Sequence, residues 1–235
     1  MSIPTEEAVL QALGAVRDPD FNRDIVSLKF VRNLRIEPAG RVSFTIELAT
    51  PMSPSKEAMR GLAQDLVARI PGVTDVRVDM SAHVKPSVSA EMNKPPVEGV
   101  KNVIAVGAGK GGVGKTTVAV NLAIALSQSG ARVAMIDGDV YGPNVPIMLG
   151  ISTQLQTDGK KIIPAEQYGI QLVSMGFLTT DDSPVIWRGP MLHGVIQQFF
   201  REVKWTDVDY LIVDMPPGTG DIALSLSQSI HVSRS

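Results

Sequence analysis

Residues 109–117, Gly109-Lys110-Gly111-Gly112-Val113-Gly114-Lys115-Thr116-Thr117, decide the fold of this chain. They fit the pattern G-x-x-x-x-G-K-[ST], in which glycines let backbone N–H groups surround phosphate oxygens. We expect Lys115 to contact the β- and γ-phosphates of a nucleoside triphosphate and the Thr116 hydroxyl to bind Mg²⁺. The stretch from Gly109 to Thr117 is therefore a predicted nucleotide-binding loop, and Lys115 is also a predicted catalytic residue.

The sequence on either side of the loop supports this prediction. Residues 103–106 (Val-Ile-Ala-Val) predict a fully buried parallel strand. Residues 117–129 contain no Gly or Pro and are rich in Ala and Leu, which predicts a helix that ends before Gly130. A strand, glycine loop and helix in this order place phosphates at a helix N-terminus, where free N–H groups favour anions. The alternative is a glycine-rich turn that contains Lys-Thr by chance, and the flanking pattern argues against it.

Two further apolar runs end in carboxylates. Residues 133–136 lead into Asp137-Gly138-Asp139, and residues 211–213 lead into Asp214. Because ligands bind beyond the carboxyl ends of parallel strands, both acidic groups should face the phosphates. We predict that Asp214 holds Mg²⁺ through a water molecule and that Asp139, as a catalytic residue, orients or deprotonates the attacking water.

The segment after Asp214 reads Met215-Pro216-Pro217-Gly218-Thr219-Gly220-Asp221. A backbone N–H of Gly218 is predicted to contact the γ-phosphate and so to sense its loss. For Asp137 and Asp221 two interpretations stay open, because short acidic side chains also cap turns and helices.

Composition limits the function classes. The 235 residues are 44% hydrophobic and 20% charged, with a net charge of −2 and no cysteine, so a disulfide framework is excluded. No run of Lys and Arg indicates nucleic acid or an anionic membrane as a partner. The N-terminus does not resemble a signal peptide, and the longest apolar run, Val118–Leu126, is too short to cross a bilayer. We expect a cytoplasmic protein.

Two domains are predicted. Residues 1–82 form a small α+β domain, 83–100 a proline-containing linker, and 101–235 the nucleotide domain. In the small domain the pattern predicts a helix over 5–16 capped by Thr5, and strands at 42–48 and 76–80. A second helix, opened by Ser53-Pro54, is predicted to bury the apolar stripe Met59, Leu62, Leu66 and Ile70.

The middle of the nucleotide domain predicts a pair of strands, Ile162-Ile163 and Ile170–Val173, joined through Pro164–Gly169. A later helix is predicted to present a core face, formed by Leu192, Val195, Ile196, Phe199, Phe200 and Val203. Arg188, just before it, is either a surface charge or a residue that reaches the active site or a partner subunit. The fold class is therefore α/β, with a mostly parallel doubly wound P-loop NTPase sheet behind a small α+β domain.

Lys110 sets this loop apart from ordinary phosphate loops. A second lysine at this position resembles the deviant loop of the MinD, ParA and nitrogenase iron-protein ATPases. That resemblance implies a homodimer that sandwiches two nucleotides, with Lys110 as a catalytic residue that reaches the partner's phosphates. A cation supplied in this way stabilises charge that develops during phosphoryl transfer. The alternative is a solvated lysine beside a glycine turn.

Four motifs together resemble the Mrp/ApbC family of iron–sulfur cluster carrier ATPases. They are the lysine-containing loop, residues 137–146 (DGDVYGPNVP), residues 187–191 (WRGPM) and residues 214–221 (DMPPGTGD). The front domain is similar to the small iron–sulfur assembly domain of bacterial members, at residues 18–20, 24–26 and 50–54. The resemblance implies a homodimer that binds ATP, hydrolyses it slowly, and delivers a [4Fe–4S] cluster to apo iron–sulfur proteins.

The chain departs from that family at the cluster ligands. The family's Cys-x-x-Cys pair lies well downstream of the segment that begins with Asp214, and Ser53 stands where the front domain of the family has a cysteine. Thiolates hold such clusters, and His83, His193 and His231 are too dispersed to replace them. We therefore expect no iron–sulfur ligand in this chain, a truncated C-terminus, and a sheet that is incomplete there.

Two alternative functions stay open from the sequence. One is a nucleotide-switched positioning ATPase of the MinD/ParA kind, although no terminal basic amphipathic helix is present. The other is a nucleotide-binding scaffold that does not hydrolyse ATP.

Overall fold

The computed structural model describes residues 4–86, 96–139, 142–178 and 189–217, with side chains described for all of these except 189–193. The chain divides between Val84 and Lys85 into two compact units. We call them the front unit and the second unit. Across the described ranges, no helix has the length and apolar character needed to cross a bilayer.

In the front unit, two helices cover one face of a small sheet. Its elements are α1 (Glu6–Leu13), β1 (Arg17–Asp18), β2 (Arg23–Asp24), β3 (Val31–Ile36), β4 (Arg41–Leu48), α2 (Lys56–Ala68) and β5 (Asp75–Ala82). Over residues 4–84 the main sheet has the order β3-β4-β5, with β3 antiparallel and β5 parallel to the central strand β4. Because parallel strands need a crossover, α2 connects β4 to β5 and packs on the sheet.

The predicted front-domain strands are confirmed. In β4 the apolar residues Val42, Phe44, Ile46 and Leu48 are buried and alternate with half-buried polar residues, as expected of a strand covered on one face. The Thr5 hydroxyl caps α1 by accepting a hydrogen bond from the amide of Ala8 at 3.2 Å. The helix ends at Leu13, three residues before the predicted end.

The predicted apolar stripe of α2 is partly wrong. The helix begins at Lys56 rather than at Ser53-Pro54, and its buried residues are Met59, Ala63 and Val67. Leu62 is 46% exposed. Residues four apart lie on one helix face, and small Ala63 allows α2 to approach the sheet closely, so Leu62 is turned away from it. Of the predicted stripe, Met59 is buried, Leu66 and Ile70 are half-buried against the same core, and Leu62 is exposed.

The second unit contains a larger sheet with helices on both faces. Its elements are β6 (Val100–Val106), α3 (Lys115–Gln128), β7 (Val133–Asp137), α4 (Val145–Leu149), β8 (Gln156–Thr157), β9 (Ile162–Ile163), β10 (Ala165–Gln167), β11 (Ile170–Ser174), a 3₁₀ turn (Met175–Phe177), α5 (Gly189–Arg201) and β12 (Val208–Asp214). The described strands have the order β10-β11-β7-β12-β6, and all neighbours are parallel except β10 and β11. This confirms the predicted mostly parallel α/β sheet.

Alternating residues of the central strand β7 face the two helical layers. Val133 and Met135 pack in one cluster with residues of α3 and α4. Ala134 and Ile136 pack in a second cluster with residues of α5. Every residue of β7 is buried, which is typical of a strand covered on both faces.

Two predictions for the strands of this unit are wrong. Strand β6 is parallel, but Ala105 is exposed and only Asn102 and Val103 are buried, because among the described strands β6 has a neighbour on one side only. The strand formed by Ile162 and Ile163 does not pair with the strand that contains Ile170–Val173. It pairs with β8, and the antiparallel partner of β11 is β10, within the predicted connection.

A buried carboxylate joins the amino ends of β6 and β12 to the residue before β7. Asp209 is 6% exposed. It accepts hydrogen bonds from the Lys101 ammonium at 2.8 Å and from the Arg132 backbone and guanidinium at 2.9–3.2 Å. Burial alone raises the pKa of Asp209, but the bonds from Arg132 and Lys101 outweigh it and lower the pKa to about 2. We call Asp209, Lys101 and Arg132 the Asp209 cluster.

Replacing Asp209 with asparagine will destabilise the protein by about 2–3 kcal/mol, because two cations lose their buried partner. Since the folded pKa lies below the ordinary value of 3.8, the contribution of Asp209 is fully present above that value. It is lost as the pH falls through about 2, in the wild type only. Denaturant unfolding of both proteins across this pH range measures the difference.

Asp207→Asn is the matched control, because Asp207 also pairs with Arg132 but its side chain is 68% exposed. We expect a change below about 0.5 kcal/mol for this variant. An equal loss of stability in both variants would contradict the role given to Asp209.

Candidate nucleotide-binding site

The strand order brings four strand ends into one row. Asp214 at the end of β12 pairs with Val106 at the end of β6 and with Asp137 at the end of β7. Asp137 in turn pairs with Ser174 at the end of β11. Parallel strands share the direction of their carboxyl ends, so all these side chains lie at the edge of the sheet from which the phosphate loop also starts.

The loop that follows β6 has the conformation a phosphate site requires. Gly112 and Gly114 have φ values of +72° and +87°, in the left-handed region that favours glycine. Gly114 caps the first turn of α3. Within the described ranges no group accepts a hydrogen bond from the amides of residues 111–114. These N–H groups, at the N-terminus of a helix of 14 residues, are suited to bind an anion.

Three predicted site residues converge at the start of α3. The Lys115 ammonium lies 2.6 Å from Oδ1 of Asp214, and the Thr116 hydroxyl donates to Oδ2 of the same carboxylate at 2.7 Å. The Lys115 and Asp214 side chains are 7% and 0% exposed. A buried carboxylate with one cation and one hydroxyl on its two oxygens fixes the positions of both groups.

Asp139 lies at the edge of this group. Its Oδ2 is 3.8 Å from the Lys115 ammonium and its side chain is 14% exposed. Its Oδ1 accepts a hydrogen bond from the amide of Gly142 at 3.3 Å. The carboxylate is therefore near the loop lysine and still accessible to water.

Asp137 is fully buried and stabilises the turn that carries Asp139. It accepts hydrogen bonds from the amides of Asp139 (3.2 Å) and Val145 (3.3 Å) and from the Ser174 hydroxyl (3.0 Å). Burial raises the pKa of Asp137 to about 7; the hydrogen bonds from Asp139 and Ser174 oppose this rise, and the charge of Asp214 adds to it. The sequence leaves two interpretations open for Asp137, a cap of the following turn or a role in the chemistry. Its contacts are those of a turn cap.

The structure brings together Lys115, Thr116, Asp139 and Asp214 and places Lys110 on the exposed surface of the loop. Gly218, Arg188 and Asp221 lie outside the described residues. Sequence reasoning missed Ser174. The signal was present, since Ser174 ends an apolar strand in the same way as Asp137 and Asp214.

The oxygen atoms of the site fit Mg²⁺. In phosphate loops this ion takes one or two protein oxygens and completes its shell with water and phosphate oxygens. The Thr116 hydroxyl provides one such oxygen, and the Asp214 carboxylate beside it can hold a water of the ion's shell. The described residues contain no group of three or more His, Cys, Asp or Glu arranged to hold a metal by themselves.

The residues present do not fit an iron–sulfur cluster. The 235 residues contain no cysteine, and such clusters are held by thiolates. Ser53, at the position where the resemblance implies a cysteine, is nearly buried and its hydroxyl lies 2.9 Å from that of Ser55.

A parallel sheet with a glycine loop, a lysine and a hydroxyl at the start of a helix, and a carboxylate on the neighbouring strand defines a P-loop NTPase. Residues 99–235 match the NUBPL iron-transfer P-loop NTPase family, and residues 6–80 match an iron–sulfur cluster assembly protein domain. The chain belongs to this iron-transfer P-loop NTPase family. The resemblance to iron–sulfur carrier ATPases is thereby confirmed.

Relatives with assigned names agree with the family. The iron–sulfur cluster carrier protein of Synechocystis sp. is 48% identical over 97% of this chain, and the chloroplastic Fe-S cluster assembly factor HCF101 of Arabidopsis thaliana is 46% identical over 95%. The chain spans 66% and 42% of their lengths. A nucleotide-binding protein of Archaeoglobus fulgidus, solved with ADP, is 33% identical, with a TM-score of 0.49 over 57% of this chain and 51% of its own.

Proposed function

We propose that this chain is the nucleotide-dependent part of an iron–sulfur cluster carrier, and that it binds Mg-ATP and hydrolyses it slowly. The observation that carries the proposal is the contact of Lys115 and Thr116 with the single buried carboxylate of Asp214. This arrangement places a cation for phosphate oxygens beside a hydroxyl ligand for a hard metal ion and a carboxylate that can hold one of the ion's water molecules.

In this mechanism each residue has one task. The amides of residues 111–114 bind phosphate oxygens, and Lys115 binds the β- and γ-phosphates. Thr116 and, through water, Asp214 hold Mg²⁺, which neutralises charge between the phosphates when it is bound. Asp139 orients the attacking water or accepts its proton, since it is the accessible carboxylate near Lys115. The contact of Gly218 with the γ-phosphate stays a prediction.

Hydrolysis by a homodimer is a further part of the proposal. Lys110 is exposed on the loop. In a dimer whose two nucleotide sites face each other, its ammonium can contact the phosphates bound to the partner subunit. A cation that arrives only in the closed dimer makes turnover depend on assembly.

The cluster is the cargo in this proposal, and the names of the relatives support it. No residue of this chain is assigned as a cluster ligand, because the chain has no thiolate to offer. Apo iron–sulfur proteins are the proposed recipients. The match of residues 6–80 to an iron–sulfur assembly domain favours a carrier over a positioning ATPase or an inert scaffold. A cytoplasmic location stays a prediction.

Two measurements test the proposal on the wild-type chain. Titration calorimetry with a non-hydrolysable Mg-ATP analogue should give saturable binding, and a phosphate-release assay should give slow, Mg²⁺-dependent turnover. Folded protein that shows no heat would exclude nucleotide binding. Binding without phosphate release at any protein concentration would leave the scaffold alternative.

Replacing Lys110 with alanine will keep nucleotide affinity within about twofold and lower turnover about tenfold, the equivalent of one charge contact worth about 1.4 kcal/mol in the transition state. Calorimetry and phosphate release on the same preparation separate the two effects. Lys160→Ala, which removes another exposed lysine of the same unit, is the control and should match the wild type.

Mixing subunits tests whether Lys110 acts on the partner's nucleotide. An equimolar mixture of Lys110→Ala and Asp139→Asn chains should recover about a quarter of wild-type turnover, because about half of the dimers are mixed and one of their sites then has both residues. A mixture no more active than its components would assign Lys110 to its own subunit.

A further inference from the structure

Ser174 and Asp137 form a buried polar pair beside the group of Lys115, Thr116 and Asp214. They are register partners on the neighbouring strands β11 and β7, and both are 0% exposed. The Ser174 hydroxyl donates to Oδ2 of Asp137 at 3.0 Å. A buried carboxylate costs free energy unless hydrogen bonds compensate for the lost water. Asp137 has three such hydrogen bonds, from Ser174 and from the amides of Asp139 and Val145, so the pair links the end of β11 to the turn that follows β7.

Asp137 accepts hydrogen bonds at both ends of the segment from Asp139 to Val145. Its Oδ1 accepts from the amide of Asp139, and its Oδ2 accepts from the amide of Val145 at the start of α4. The direction of the Asp137 carboxylate thus sets where the segment leaves β7 and where it enters the helix. The distance of 3.8 Å between Asp139 and Lys115 depends on this placement.

Ser174 fixes the direction of that carboxylate. Its oxygen accepts a hydrogen bond from the amide of Gly176 at 3.0 Å, so its single proton is directed to Asp137. Gly176 also packs against Pro143 of the same segment, because a Cβ atom at Gly176 would lie only 3.1 Å from Cβ of Pro143. The end of β11 therefore supports the segment by a hydrogen bond and by packing.

We infer that Ser174 is a positioning residue for hydrolysis: through Asp137 it aligns Asp139 at the nucleotide site. The inference rests on the proposed ATPase function. It assigns the serine to turnover and leaves nucleotide binding to Lys115, Thr116 and the loop amides.

Replacing Ser174 with alanine will lower kcat about tenfold and leave KM and the Kd of the Mg-ATP analogue unchanged, because a misplaced catalytic group affects the reaction step more than binding. Ser174→Cys keeps a weaker donor of similar size, so its kcat should fall between those of wild type and Ser174→Ala. The control is Ser129→Ala, which removes a hydroxyl bonded to the Ala125 carbonyl at the far end of α3.

Hydrogen exchange gives a readout that does not need turnover. In Ser174→Ala, the amides of Asp139 and Val145 should exchange faster than in the wild type, since their shared acceptor is no longer held. Exchange of α2 in the front unit should not change.

The outcomes separate the inference from the proposed function. If wild type hydrolyses ATP and Ser174→Ala has the same kcat, the inference is wrong. It is also wrong if kcat and Kd change together in proportion to lost stability, as for a merely structural residue. If wild type has no turnover, the proposed function fails and the role of Ser174 in hydrolysis fails with it. If wild type has turnover but the exchange rates at Asp139 and Val145 are unchanged in Ser174→Ala, the positioning role is overturned.

Discussion

Lys115→Ala will reduce the affinity for Mg-ATP by about a hundredfold or more. Lys115 is the cation at the helix start that can reach the phosphates, and its ammonium is already nearly buried at 2.6 Å from Asp214. Hydrogen bonds to charged groups contribute about 1.5–3 kcal/mol each, and in the proposed site the lysine contacts two phosphates. Titration calorimetry with the non-hydrolysable analogue measures the loss directly.

A matched control distinguishes this loss from a general charge effect. Lys161→Ala removes a lysine of the same unit that pairs with exposed Glu98, and it should bind the nucleotide as the wild type does. Because Asp214 loses its cation in Lys115→Ala, thermal unfolding of each variant must show that it is folded. Affinity within threefold of wild type for folded Lys115→Ala would refute the site.

Asp139→Asn will lower phosphate release about a hundredfold while the affinity for Mg-ATP stays within about twofold. The amide side chain has the same shape and still accepts from the Gly142 amide, but it cannot take a proton from water. General-base catalysis contributes about 10²–10⁴-fold, and an asparagine that still orients water retains part of it. Single-turnover assays separate this chemical step from product release.

Asp158→Asn is the control for Asp139→Asn. Asp158 has the same side chain in the same unit, and it accepts from the amides of Lys160 and Lys161 in an exposed turn. Wild-type turnover in this control together with full turnover in Asp139→Asn would exclude Asp139 as the base.

Local patterns predicted the parts of the fold that depend on neighbours in the chain. The predicted helix after the loop is present as α3, with Gly114 at its N-cap. The apolar runs of β7 and β12 are strands that end in acidic residues, as predicted. Because parallel strands share an edge, the meeting of Lys115, Thr116, Asp139 and Asp214 could also be anticipated.

Features that depend on distant pairing could not be read from the sequence. Strand β12 lies between β6 and β7 although it comes last among these three strands, and this order decides that Asp209 meets Lys101 and Arg132. The role of Ser174 likewise depends on β11 lying beside β7. The exposed position of Leu62 follows from the face that α2 turns to its sheet, which side-chain size alone does not specify.

The Asp209 cluster lies at the opposite edge of the sheet from the nucleotide site. It fastens the amino ends of β6 and β12 and the residue that leads into β7, while mutually repelling carboxylates lie at the carboxyl ends. The contacts that hold the strands together thus lie at their amino ends, and the candidate nucleotide site lies at their carboxyl ends. Acidic residues at the carboxyl ends could therefore be substituted to accept another nucleotide or metal, while the Asp209 cluster keeps the strands in register.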